Sequence, residues 1–163
     1  MLVLAEAASA RDQRPAGMNA RRLASRAAAY AWAAPATALG AAAGLVVLCL
    51  GGRVRFVSGT AEFHGAAVAR VLAGRRGTRP CGALTLGHVV LGTSPAWLSV
   101  LRAHERVHVR QYERWGLFFL PAYALSSLWQ LARGRHWYRD NFFERRAYAA
   151  GGARRRLRPA PSR

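Results

Sequence analysis

Five consecutive residues, His104-Glu105-Arg106-Val107-His108, offer the clearest chemistry in this chain. On a helix, histidines four residues apart lie only about 40° from each other round the axis, so both imidazoles reach one metal ion. Glu105 stands about 100° round from His104, where its carboxylate can take a proton from an attacking water. The helix this requires is well marked. Thr93-Ser94-Pro95 supplies a hydroxyl cap with proline in the first turn, and Gly116 stops a helix expected to run to about Arg114. Round that helix Trp115, His108, Leu101, Tyr112 and Glu105 share the His104 side, while Arg102, Glu113, Arg106, Arg110 and Arg114 share the other. The competing reading is an amphipathic helix whose histidines are merely half-buried. Tyr112 and Trp115 are expected to pack in the core, and Gln111 and Glu113 to make polar contacts or face solvent.

A catalytic zinc normally takes three protein ligands, so a third is needed. Downstream, DNFFERRAY (residues 140–148) opens another expected helix, and Glu144 is its only carboxylate one turn inside. A capping box competes for the same side chain, with Asn141 as N-cap and Glu144 reaching back to the backbone. Asp140 precedes the helix and is a poorer ligand; His136, in a basic loop, is the other candidate. His64 and His88 fall in strand-like segments and are read as structural.

The stretch Thr85 to Gln111, above all LRAHERVHVRQ (residues 101–111), resembles small bacterial gluzincin-type zinc metalloproteases, in which a strand precedes an HExxH helix. Asn141-x-x-Glu144-x-x-Ala147 is similar to that family's third-ligand helix. The resemblance covers residues 83 to 150. It implies a zincin-like α+β domain, Zn2+ held by His104, His108 and Glu144, Glu105 as catalytic base, and a peptide or protein substrate. The chain departs from the pattern at Arg102, Arg106 and Arg110, where the strict motif excludes charge, and at Tyr148, where many gluzincins carry a supporting Asp. Tyr138 and His136 are the candidates for stabilising an oxyanion. A catalytically inactive relative, keeping the fold or the metal as a membrane-associated binding protein, is the alternative.

The elements that must position these residues follow a change in pattern. Residues 1–26 form a basic N-terminal segment, with Met18 opening a more ordinary start. Ala27 to Gly52 is 26 residues without a charge, longer as a helix than the ~30 Å hydrocarbon core of a bilayer, and is expected to be a transmembrane helix. A cleaved signal peptide and a buried Ala-rich core helix are its rivals. Residues 53–150 then form the domain. Two short strands are expected at Val54–Val57 and Thr60–Phe63, joined across Ser58-Gly59, followed by a short helix at Ala66–Ala73 and a basic loop at Arg75–Cys81. A third strand is expected over Ala83–Leu91, with Gly87 marking a bulge or a close approach. The Arg-, Pro- and Gly-rich residues 151–163 are expected to be a disordered basic tail.

Gly116 to Ala132 is a second uncharged stretch, of 17 residues. A single crossing there would put Glu144 and the HExxH helix on opposite sides of a ~30 Å layer, whereas zinc–ligand bonds are only ~2 Å. The segment must turn back, lie in the interface or pack in the core; Phe118, Phe119 and Trp129 between Arg114 and Arg133 favour an interfacial helix.

Charge sets the partners. The 25 basic residues are all Arg, against seven acidic ones, giving a net charge of +18. An anionic membrane surface is the expected partner, and nucleic acid is not, because no binding motif accompanies the charge. Cys49 lies in the apolar run and Cys81 in a loop, and no disulfide or lipidation is expected. The arginines before the apolar helix place the N-terminus in the cytoplasm and the site on the outer face of a bacterial inner membrane.

Overall fold

A computed structural model describes residues 16–72 and 82–151, with side chains for 23–72 and 82–150. The expectations for residues 1–15, for the basic loop 75–81 and for the tail beyond Gly151 lie outside the described residues. The chain forms two compact units, one to Ala31 and one from Trp32 onward. The second unit takes in the apolar helix from Trp32 onward.

The first helix, α1, spans Ala16–Cys49 and carries Pro35 internally. Its stretch Leu23–Cys49 is long and apolar enough to cross a membrane. Within the second unit one stripe of this helix is given to packing. Ala33 and Ala36 are almost fully buried, and Val47 joins a cluster with Phe63, Val68, Val89 and Leu91. Between them Gly40 and Gly44 bring the backbone close: a Cβ at Gly40 would fall 2.7 Å from Val89 Cβ, and one at Gly44 would fall 2.6 Å from the Phe63 ring. Small residues three or four apart share a helix face and let neighbours approach the axis. Leu39, Leu45 and Val46 remain exposed on the other side.

Strands β1 (Arg53–Val57) and β2 (Thr60–His64) form an antiparallel hairpin. Its two turn residues both have positive φ, 50° at Ser58 and 83° at Gly59, the backbone twist that suits a two-residue hairpin. A short helix α2 (Ala66–Leu72) follows. The single strand expected over Ala83–Leu91 is instead a second hairpin, β3 (Ala83–Leu86) and β4 (Val89–Gly92), with Leu86 opposite Val89. Gly87, at φ 59°, takes the reversal. A run that is apolar but for Thr85 and His88 carries no mark of a turn other than that glycine, and the expected close approach is real: a Cβ there would clash with Thr37 Oγ1. The four-stranded sheet has the order β1-β2-β4-β3. Its central β2–β4 pair is parallel, so the sheet is mixed and the fold α+β.

Helix α3 (Pro95–Trp115) is capped by Ser94, whose hydroxyl accepts from Trp97 N, and it ends at Gly116 with φ 56°. After a 3-10 turn at Gly116–Phe118 come α4 (Phe119–Ala132) and α5 (Phe142–Gly151). Ala33, Ala36, Tyr112, Phe119 and Phe143 make the core joining α1, α3, α4 and α5. A second tie holds α3 to the sheet: Arg102 donates from Nε and Nη2 to buried Glu62 at 2.7 and 2.9 Å.

Gly87→Ala should destabilise the chain by about 1–3 kcal/mol, since it adds both positive-φ strain and a clash with the Thr37 backbone. Gly51→Ala, at φ 79° with open space around it, should cost only the strain, about 1 kcal/mol. Equal losses in urea denaturation of the two variants would mean that α1 does not press on the β3–β4 turn.

Candidate metal centre

The side chains that meet here come from two helices packed face to face. From α3, His104 and His108 project from successive turns, as their spacing requires. From α5 comes Glu144. All are buried, with 4% of His104, 7% of His108 and 3% of Glu144 exposed. The start of α5 is fixed by Asn141, fully buried, whose Oδ1 accepts from Phe143 N at 2.8 Å. Its amide donates to Tyr123 O at 3.0 Å and Ser127 Oγ at 2.7 Å, pinning the cap to α4. Asn141 thus caps the helix, as the competing capping-box reading required. The reciprocal half of a capping box does not form, because the Glu144 carboxylate turns toward the histidines.

Three distances define the cluster. His104 Nε2 and His108 Nε2 are 3.1 Å apart. Glu144 Oε2 lies 3.4 Å from His104 Nε2, and Oε1 lies 3.4 Å from His108 Nε2. Tetrahedral coordination with bonds of about 2.0–2.1 Å separates ligand atoms by about 3.3–3.4 Å. The three closest approaches, which use both carboxylate oxygens, are near that edge length, and one donor atom from each residue lies within 4.8 Å of the other two. As hydrogen bonds the two 3.4 Å contacts are long, and Glu144 Oε2 and His104 Nδ1 have no hydrogen-bond partner among the described residues. Buried polar atoms are rarely left so, and a cation between the three groups would satisfy the carboxylate. The cluster can hold a metal ion.

Surrounding contacts orient the ligands. His108 Nδ1 faces Gln111 Oε1 at 2.8 Å, while the Gln111 amide donates to Phe143 O at 3.2 Å. An acceptor at Nδ1 fixes the proton there and leaves the Nε2 lone pair free for a metal. Tyr123 on α4 donates to Glu144 Oε1 at 2.9 Å. Tyr148 lays its ring 4.6 Å from that of His104, and its hydroxyl meets that of Tyr138 at 3.3 Å. Glu105, 5% exposed, accepts from Thr85 Oγ1 on β3 at 2.6 Å, which holds one of its oxygens.

The other expected residues fall outside the cluster. His136 and Asp140 bond each other in an exposed turn through His136 N and Asp140 Oδ2. His88 sits in the β3–β4 turn rather than in a strand, between Thr37 and Glu113. Tyr112 is a core residue, its ring 4.4 Å from Phe119, with burial pushing its phenol up to about 12. Of the three arginines that depart from the motif, Arg102 is occupied by Glu62 and Arg110 is exposed, so these two point away from the ligands. Gln111 was legible only as a polar contact, although its place three residues after His108 is the signal for its role. Thr85 and Tyr123 come from elements whose orientation the sequence does not encode locally.

Gln111→Ala should weaken metal binding roughly tenfold or more, whereas Glu113→Ala, on the same helix but facing His88, should leave affinity unchanged. Equal effects in a competitive chelator titration would show that Gln111 does not orient His108.

The metal-free chain should have its own pH window. Burial opposes charge on Glu144, but the close imidazoles of His104 and His108 outweigh it and hold the carboxyl down at about 2, from 4.5. Burial likewise lowers His108, but Glu144, Glu105 and Gln111 outweigh it and raise the imidazole above 6.5. The depressed carboxyl stabilises above its ordinary range and loses that contribution as pH falls toward 2. The raised imidazole stabilises below its ordinary range and loses its contribution as pH rises through the folded value. Metal needs neutral imidazoles, so it supplies most where the apo pair supplies least. Added metal should raise the melting temperature more at about pH 8.5 than at about pH 5.5; an equal rise at both would contradict the shared use of His108.

No family model, no curated protein and no solved structure matches this chain, so the site rests on its own geometry.

Proposed function

We propose that the chain is a membrane-anchored, zinc-dependent hydrolase of peptide bonds with a zincin-like arrangement of its HExxH helix. The observation that carries this reading is the buried convergence of His104, His108 and Glu144, with one donor atom from each within 4.8 Å of the others, and with Glu105 on the adjoining face of the same helix. Two imidazoles and one carboxylate are a donor set that suits zinc. Zinc, when bound, supplies Lewis acidity to a scissile carbonyl and to an attacking water. The chain's own residues do the rest. Glu105, steadied by Thr85, takes the proton from water and returns it to the leaving amine. Gln111 and Tyr123 hold His108 and Glu144 in place. Helix α1 supplies the anchor, and the arginines before it favour a site on the outer face of a bacterial inner membrane.

A second reading is favoured by one observation. The ligands and Glu105 are all more than nine-tenths buried, as in closed structural metal sites. In that case the metal stabilises a membrane-associated binding protein and no reaction follows.

Glu105→Gln separates the two. The full-length chain in detergent, loaded with zinc, is incubated with a mixed peptide library and cleavage is read by mass spectrometry. The wild type should cut, and Glu105→Gln should keep its zinc while losing cutting by at least roughly a hundredfold. A zinc-loaded wild type that leaves the library intact supports the structural role, and undiminished cutting by the variant contradicts the assignment of the base.

A further inference from the structure

Helix α4 is amphipathic the wrong way round for a surface helix in water. Its polar side chains face inward: Tyr123 bonds Glu144, Ser127 bonds Asn141, and Ser126 accepts from Phe142 N at 3.0 Å. Its outward face is Leu120, Leu125, Leu128, Trp129 and Leu131, all exposed. A water-facing helix carries polar residues outward, and a contiguous apolar face on this scale marks an interaction surface. Beside it an open groove of about 370 Å³ runs between Trp32 of α1, the end of α3 and Leu125, lined almost wholly by apolar side chains. Arg114 is the one cation lining the groove among the described residues. It is exposed and has no carboxylate within ion-pair distance among the described residues. At the far end of α4, Arg133 stacks 5.5 Å over the Trp129 ring, a pairing suited to a headgroup layer.

We propose that the outward face of α4 and the adjoining groove lie against the acyl chains of an anionic phospholipid, with the Arg114 guanidinium meeting the headgroup phosphate. Three observations select lipid over another occupant. Trp32, on the groove wall, belongs to the stretch long and apolar enough to cross a membrane, so the groove is continuous with a second lipid-compatible surface. The chain's net charge of +18 matches an anionic headgroup layer. Arginine binds phosphate through paired N–H donors, and one stands where an acyl-filled groove would bring a phosphate. Helix α4 thereby acquires two faces with separate tasks, acyl chains outside and the α5 cap inside. The inference does not depend on a metal being bound.

The test uses the full-length chain in lipid nanodiscs containing phosphatidylglycerol or phosphatidylcholine with a photoactivatable group on the acyl chain, and crosslinked peptides are mapped by mass spectrometry. Crosslinks should fall on Phe118, Leu120, Leu125 and Leu128. Leu125→Glu and, separately, Leu128→Glu should cut labelling of this face roughly tenfold, since a carboxylate is costly among acyl chains. Both positions are exposed, and an unchanged thermal transition confirms that each variant remains folded. Arg114→Gln should remove any preference for phosphatidylglycerol over phosphatidylcholine. Labelling absent from residues 118–128, or unaffected by both Glu variants, overturns the proposal. So does a benzophenone at Leu128 that captures a second copy of the chain in place of lipid, which would make this face a protein interface.

Discussion

Two imidazoles and a carboxylate brought within 3.4 Å of one another inside an apolar core are the constraint on which the rest of this structure depends. In water each group would be hydrated; here each is more than nine-tenths buried. Burying a carboxylate is costly unless positive charge compensates it, either protons on the histidines or a metal ion. Both solutions need the same geometry, and neither tolerates a shift of an ångström. The α3–α5 packing must therefore be exact in register as well as apolar.

Register is supplied by polar contacts at the edges of the apolar core. Asn141 sets where α5 begins and, through Tyr123 O and Ser127, ties that point to α4. Gln111 spans from the second histidine to the backbone at Phe143, one residue before Glu144. A single side chain thus measures the gap between the helices that carry the cluster. The Arg102–Glu62 pair does the same between α3 and the sheet, and Thr85 orients Glu105 from the edge strand. Buried polar groups of this kind, once satisfied, fix one arrangement among several that burial alone would permit.

What could be read from the sequence was whatever is encoded locally. The HExxH spacing, the Ser94 cap and the Gly116 stop are each encoded within a few residues, and each is found where expected; the Asn141 cap, part of the competing reading, is equally local. Glu144 could be named because it is the only carboxylate one turn inside its helix, although its choice between capping and facing the histidines is decided by α3, far away in sequence. The β3–β4 reversal was missed because ALTLGHVVL is apolar on both sides of Gly87, so periodicity alone could not distinguish one buried strand from two. The apolar helix was read by its hydropathy. Its stripe of Ala33 and Ala36 against the helices and of Gly40, Gly44 and Val47 against the sheet is a matter of size rather than polarity, and a charge-free stretch conceals it. The inward hydroxyls of α4 were likewise invisible, since the identity of the inner face depends on where α5 docks.

The measurement that bears most directly on the metal centre is X-ray absorption at the zinc edge on the full-length chain, purified in detergent and loaded with one equivalent of zinc. The expected result is bound zinc with about four nitrogen or oxygen neighbours near 2.0 Å and the multiple scattering of two imidazoles, one imidazole being lost in His108→Ala. Zinc that keeps the spectrum of the hydrated ion, or that shows the same imidazole count after His104 and His108 are both replaced by alanine, would contradict the site.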